Sequence, residues 1–253
     1  MSIKTIVHGA GGHMGQIVCQ LVLDSKELEL AAAVDAFGGA VKADGRNILT
    51  SLDECPKEAD VVIDFSHHTC CPDLMAYCSR NALPVVLCTT GITEAEQKTV
   101  QKAAESIAIF QSGNMSVGVA LLRRLAKEAA RVMEDCDIEI VEAHHNRKVD
   151  APSGTALMLA DEIKKVRTDA KYVLGRSGEH KRQPEEIGIH ALRMGNVVGE
   201  HQVIFTTNNQ SITLCHSAQN RSLFADGAIA AAKYLVHRQP GIYDMDDMLA
   251  GKE

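Results

Sequence analysis

Residues 3–23 read IKTIVHGAGGHMGQIVCQLVL. Ile3–His8 is a short apolar run, the next seven residues hold four glycines, and Met14–Leu23 is apolar at 14, 17, 18 and 21, the spacing of one helix face. Strand, glycine turn and helix in that order open a parallel βαβ unit. The pattern then repeats. Leu28–Val34, Val61–Phe65, Val85–Cys88 and Ile107–Phe110 read as further strands, with helices predicted at 70–81 and Thr93–Glu105. Near-continuous apolar strands separated by helices are what a parallel sheet covered on both faces requires. About the first 110 residues therefore predict a doubly wound α/β fold.

The pattern changes after Asn114. Ser116 is an N-cap candidate for a long helix with apolar residues at 117, 121, 125, 129 and 132. A strand is predicted at Ile138–Ala143, a helix from Gly154 to about Val166, and a polar, turn-rich loop or lid over 169–186. Ile187–Arg193, Gln202–Thr207 and Ser211–His216 follow as strands without intervening helices, which predicts an antiparallel or mixed sheet in a second domain. An Ala-rich helix at 222–236 is expected to pack back on the first domain. The expected division is 1–115 with 222–253, and 116–221.

Composition narrows the function. The chain has 253 residues, 45% of them hydrophobic and 23% charged, enough for a real core and too apolar for a disordered chain. No apolar run approaches the roughly 18 residues of a membrane helix, and the N-terminus breaks into glycines too early for a signal peptide. A net charge of −7 without a basic block argues against a nucleic-acid partner. The eight cysteines form no C-x-x-C pair, and several lie in apolar stretches, so reduced thiols in a cytoplasmic setting are expected.

Gly9-Ala10-Gly11-Gly12-His13-Met14-Gly15 lies between a strand and a helix, where glycines let backbone approach a pyrophosphate and helix-start N–H groups meet its charge. The strict G-x-G-x-x-G pattern fails at Met14; a plain tight turn is the bland alternative. Asp35, 20 residues beyond Gly15, ends the second strand, where an acid accepts hydrogen bonds from ribose hydroxyls. A carboxylate repels a 2′-phosphate, and Ala36 follows it in place of an arginine. The expected cofactor is NADH in preference to NADPH, with His13 as a partial counterweight.

Glu142 to Ala156 reads EAHHNRKVDAPSGTA. Four potentially cationic groups (His144, His145, Arg147, Lys148) fall within five residues, just before Ser153, an N-cap candidate, and the helix start at Gly154 and Thr155. Cations beside a helix N-terminus make an anion site, and His144 or Lys148 can deliver a proton. The alternatives are a solvated loop and a zinc site. His67-His68 and His144-His145 supply imidazoles but no H-E-x-x-H or compact Cys/His set, so no metal is expected.

Those motifs, with IDFS at 63–66, CTTG at 88–91, GNMSVGV at 113–119, RMGNVVGEH at 193–201 and NRSLFADGA at 220–228, resemble the 4-hydroxy-tetrahydrodipicolinate reductase (dihydrodipicolinate reductase) family. The resemblance runs in order over nearly the whole chain. It implies a Rossmann domain plus a second α+β domain whose open mixed sheet assembles a homotetramer. It also implies NAD(P)H-dependent reduction of a cyclic dicarboxylate, in diaminopimelate and lysine biosynthesis. By position, it implies His144 and Lys148 in proton transfer, and His145, Gly154 and Thr155 on substrate carboxylates. Gly9, Ala10, Gly11, Gly12, His13, Met14, Asp35, Cys88, Thr89, Thr90, Ser112, Gly113, Asn114 and Met115 would line the cofactor. The chain departs from the family's usual residues at His13, Ala36 and Cys88. An amino-acid or semialdehyde dehydrogenase of similar build would lack the H-H-x-x-K block, and an NADH-sensing regulator would need a partner module.

Overall fold

The computed structural model describes residues 2–251, which form two compact units. The first runs up to Ser116 and resumes at Ser222; the second is Val117–Arg221.

Six parallel strands make the sheet of the first unit: β1 (Ile3–His8), β2 (Leu28–Val34), β3 (Val61–Asp64), β4 (Val85–Leu87), β5 (Ala108–Gln111) and β11 (Gly241–Tyr243). Their spatial order is β2-β1-β3-β4-β5-β11. The chain steps from β1 to one side and returns to the other, so the switch lies between the carboxyl ends of β1 and β3. Such a switch opens a crevice where ligands seat in doubly wound sheets. Helices α1 (His13–Asp24), α2 (Cys71–Arg80), α3 (Glu94–Ala103) and α6 (Ser222–Leu235) pack on the sheet, and Ile6, Val62, Leu74, Met75, Leu87 and Ile109 are buried between α2, α3 and the strands. The helix α6 approaches through small residues: a carbon added at Gly227 would lie 1.6 Å from the Met115 carbonyl oxygen.

In the second unit a five-stranded mixed sheet runs β10 (Ser211–Ala218), β9 (Gly199–Thr206), β6 (Asp137–His144), β8 (Glu186–Arg193), β7 (Lys171–Leu174). The three strands β6, β8 and β7 are parallel, whereas β9 is antiparallel to both its neighbours. Helices α4 (Val117–Val132) and α5 (Gly154–Lys164) cover one face around Ile138, Ile140, Leu159, Ile189, Val203 and Phe205. By strand alternation the opposite face presents Glu139, Val141, His190, Leu192, Gln202 and Ile204. The parallel pairing aligns the carboxyl ends of β6 and β8, with His144 opposite Arg193.

Two expectations need correction. Segment 169–186 is not all loop: Lys171–Leu174 forms edge strand β7, and Arg182 pins the remainder through Asp137 and Glu139 at 2.7 and 2.6 Å. In α4 the buried face is Val119, Ala120, Leu122, Ala126 and Ala130, while Leu121, Leu125 and Val132 are 50%, 45% and 67% exposed. Small side chains let that face approach its neighbours closely, an advantage that counting large apolar residues overlooks. Short β11 and the helix α7 (Met245–Ala250), capped by Asp244, were not anticipated.

Glu162 on α5 is buried and accepts from Arg123 at 2.9 Å, Lys127 at 3.1 Å and Lys165 at 2.7 Å. Burial alone pushes its carboxyl up, but the three cations override this and hold it at about 2. A carboxyl depressed in the folded state stabilises above its unfolded value, near 4.5, and the contribution is lost as pH falls towards 2. With Lys127 and Lys165 roughly half in water, Glu162→Gln is expected to cost about 1–2 kcal/mol at pH 7. Urea unfolding at pH 7 and pH 3 checks this: the variant's deficit should shrink at the lower pH.

Candidate active site

Gly9 has φ +76°, a left-handed turn that glycine tolerates, and its N–H with that of Ala10 donates to the Val34 carbonyl at 2.9 and 3.0 Å. Gly12 N–H donates back to Gly9 O at 3.1 Å. A carbon added at Gly15 would lie 2.1 Å from the same Gly9 oxygen, so the close loop–helix contact requires glycine there. The third glycine of the fingerprint is thus present, one position later than the strict pattern. Asp35 accepts from Gly11 N–H and Phe37 N–H, both at 3.1 Å, and ties the glycine loop to the end of β2.

Two cavities that share Gly12, Phe65 and Ser66 follow the carboxyl edge of the sheet. One, of 410 Å³, is lined by Gly9, Gly11, Gly12, Asp35, Ala36 and Phe37, with His8 and His67 at its side. The other, of 490 Å³, is lined by His13, Met14, Cys88, Thr89, Thr90 and the Ser112–Met115 turn, with Phe224 from α6. Ala10 lines neither, being fully buried. Beneath them the buried Asp64 accepts from His8 Nδ1 at 2.8 Å, Thr89 Oγ1 at 2.6 Å and Ser66 N–H at 3.2 Å, which joins the loops after β1, β3 and β4. Paired, the two volumes suit the halves of a dinucleotide, with helix-start N–H groups of α1 between them.

In the second unit the carboxyl ends of β6 and β8 carry a dense polar cluster. Glu142 is fully buried yet accepts four hydrogen bonds: His144 Nδ1 at 2.6 Å, Arg193 Nη1 and Nη2 both at 2.8 Å, and Ser153 N–H at 3.0 Å. Burial pushes this carboxyl up, but the bonds from Arg193, His144 and Ser153 outweigh it and keep it below the ordinary value. With Nδ1 donating to Glu142, Nε2 is the ring atom of His144 left for a ligand; it lies over Gly199, where an added carbon would approach to 3.2 Å. Lys148 Nζ pairs with Asp150 Oδ1 at 2.8 Å, and Arg193 Nη2 also donates to the Asp150 carbonyl at 2.6 Å. Ser153 caps α5, its Oγ accepting from Ala156 N–H at 3.2 Å. At Gly154, the head of that helix, an added carbon would meet no atom within 4 Å.

His145 is pushed below its ordinary value by burial and by the cations Arg147 and Arg221, and its buried Nδ1 has no hydrogen-bond partner among the described residues. Across β9, burial drives His201 down to about 4; its Nε2 contacts Ser153 Oγ at 3.1 Å and its ring meets His144 edge-on with centroids 5.2 Å apart.

The expected residues therefore gather into two sets. The glycine loop, Asp35, Cys88–Thr90 and Ser112–Met115 border the paired cavities of the first unit. His144, His145, Lys148, Gly154 and Thr155 share one strand end, loop and helix start in the second. Glu142, Arg193 and Phe224 lie within the quoted motifs but carry no task there, and His8 figures only as the end of the first apolar run. A carboxylate two residues before His144 on the same strand face was the available signal for Glu142.

Comparison with known proteins agrees with the motifs. A family model described as dihydrodipicolinate reductase, N-terminus, matches residues 3–115, and its C-terminus counterpart matches 118–249. The 4-hydroxy-tetrahydrodipicolinate reductase of Caldanaerobacter subterraneus subsp. tengcongensis is 48% identical over 251 residues, covering 98% of this chain and 99% of that protein. The reductase of Clostridium novyi is 41% identical with the same coverage. A dipicolinate-bound dihydrodipicolinate reductase from Paenisporosarcina sp. TG-14 superposes with a TM-score of 0.80 at 25% identity, covering 96% of this chain and 98% of that one. A diaminopimelate dehydrogenase from C. glutamicum, at TM-score 0.58 and 12% identity, shares the fold alone. Motifs, site geometry and relatives converge, and the chain belongs to the dihydrodipicolinate reductase family, oxidoreductases of diaminopimelate and lysine biosynthesis.

Proposed function

We propose that this chain carries out its family's reaction with His144 and Lys148 as the proton-transfer groups and with a dinucleotide in the two cavities of the first unit. The reaction is reduction of 4-hydroxy-tetrahydrodipicolinate to tetrahydrodipicolinate: water leaves, and a hydride and a proton are added. Bound along the glycine loop, reduced nicotinamide dinucleotide supplies the hydride. The observation that carries the reading is the convergence of His144 Nε2, Lys148 and the head of α5 on the carboxyl edge of β6.

The substrate is a dicarboxylate, and this cluster suits one. Gly154 and Thr155 begin a helix whose N-terminal dipole favours an anion, and open space surrounds Gly154. His145, with an unpartnered buried Nδ1, offers a further polar contact for a carboxylate. That a relative from Paenisporosarcina binds dipicolinate supports the same substrate class here. His144 and Lys148 carry protons at positions where a developing negative charge is also stabilised.

Preference for NADH is supported by the first cavity's lining. It contains Asp35 and Ala36 but no lysine or arginine, and Arg80, in an adjoining cavity, is paired with Asp53 at 2.6 Å. NADPH remains a usable second cofactor through its shared nicotinamide and pyrophosphate. The face of the second sheet that carries Val141, Leu192 and Ile204 supports assembly of a homotetramer. A cytoplasmic setting is supported by the unpaired cysteines, with burial pushing Cys19 up to about 12 and Cys71 up to about 11.

Absorbance at 340 nm tests the reaction while dihydrodipicolinate synthase supplies fresh substrate from pyruvate and aspartate semialdehyde. Oxidation that depends on the synthase is expected; none, with NADH still bound, would turn attention to the dehydrogenase or sensor readings. Lys148→Ala should lower turnover by about 10²–10⁴-fold, the usual cost of one positioned acid, and near-normal turnover would remove it from the mechanism. Affinity for NADH should exceed that for NADPH by about fivefold, as one like-charge contact worth about 1 kcal/mol in water predicts. Fluorescence titration with each cofactor decides this, and equal affinities would refute the role given to Asp35.

A further inference from the structure

The buried carboxylate of Glu142 touches four donors from three separate elements, and each donor leads to a part of the proposed site. His144 lies two residues along the same strand face. Arg193 reaches it from the end of β8 and also holds the Asp150 carbonyl, in the residue whose carboxylate pairs with Lys148. Ser153 N–H comes from the cap of α5. We propose that Glu142 is the positioning residue of this site: it fixes the His144 ring with Nε2 outward and holds the Lys148 loop and the α5 start in register with it.

Charge around the ring makes the assignment specific. From β9, His201 faces His144 edge-on; burial holds it neutral near pH 7, and on β10 burial also pushes His216 down. Arg193 approaches from β8, while His145 and Lys148 lie in the loop, Lys148 paired with Asp150. The negative group in contact with the imidazole is thus Glu142. A carboxylate 2.6 Å from Nδ1 holds the ring by that atom and leaves Nε2 outward. Replacing it with a neutral amide removes the charge-assisted bond that fixes the ring.

This inference rests on His144 being a proton-transfer group, and the experiment separates the two. Turnover of Glu142→Gln, Glu142→Asp and His144→Asn is measured from pH 5.5 to 9.5, alongside NADH titration and circular dichroism. Glu142→Gln should reduce kcat by about 10²-fold or more, as loss of a carboxylate that orients a catalytic imidazole does elsewhere. KM should change far less than kcat, and NADH affinity should stay within about twofold of the original because that site lies in the other unit. Glu142→Asp keeps a carboxylate and should recover part of the lost kcat. A folded Glu142→Gln enzyme with unchanged kcat overturns the positioning role, while His144→Asn with full activity overturns the reading beneath it. If Glu142→Gln does not fold, ¹⁵N-labelled histidine spectra of the unaltered protein decide. A His144 ring protonated at Nδ1 with a strongly downfield proton is expected, and a neutral ring protonated only at Nε2 refutes the proposal.

Discussion

A carboxylate removed from water has to be met by donors, and Glu142 makes the second unit obey that requirement. It projects from the helix-covered face of β6, beyond Ile138 and Ile140, and is itself fully buried. An unpaired buried carboxylate costs several kcal/mol, and deletion of one partner from a buried pair typically costs 3–5 kcal/mol. The strand end, the end of β8 and the start of α5 are therefore held to one another through a single side chain. The parallel pairing of β6 with β8 makes this possible, because it brings His144 and Arg193 level on the same edge.

The first unit meets its requirements mainly with backbone. Its glycine loop is folded by N–H groups that donate to Val34 O, Gly9 O and Asp35, so the helix start of α1 is presented without a nearby cation in the 410 Å³ cavity. Below, Asp64 gathers His8, Thr89 and Ser66 N–H. One unit thus offers fixed dipoles and an acid at a strand end; the other offers imidazoles, a lysine and an arginine held by a buried glutamate.

Much of this was legible along the chain because it depends on near neighbours. Apolar runs of Ile3–His8, Leu28–Val34 and Val61–Phe65 predicted the parallel sheet, and the glycines at 9, 12 and 15 predicted the turn between β1 and α1. The polar block at 142–156 stood out through its density of charge and its Ser153 cap. Less legible was α4, where Leu121 and Leu125 are exposed while Ala126 and Ala130 are buried, since close approach by small side chains outweighed the count of large ones. Strand β7 was hidden by its charged flanks, and Arg182 in a polar stretch gave no hint of the acids it meets.

By itself, then, the sequence determined most of the strands and helices in their order, the glycine turn between β1 and α1, and the polar block at 142–156. Periodicity, caps and turn chemistry act over a few residues, and all of these are local. Only the tertiary structure decided that Arg193 and Glu142, 51 residues apart, form one bidentate pair, and that Phe224 joins the wall begun by Ser112–Met115. Those partnerships follow from strand register and helix packing, which are settled when the sheet is assembled and every buried polar group must find its donor.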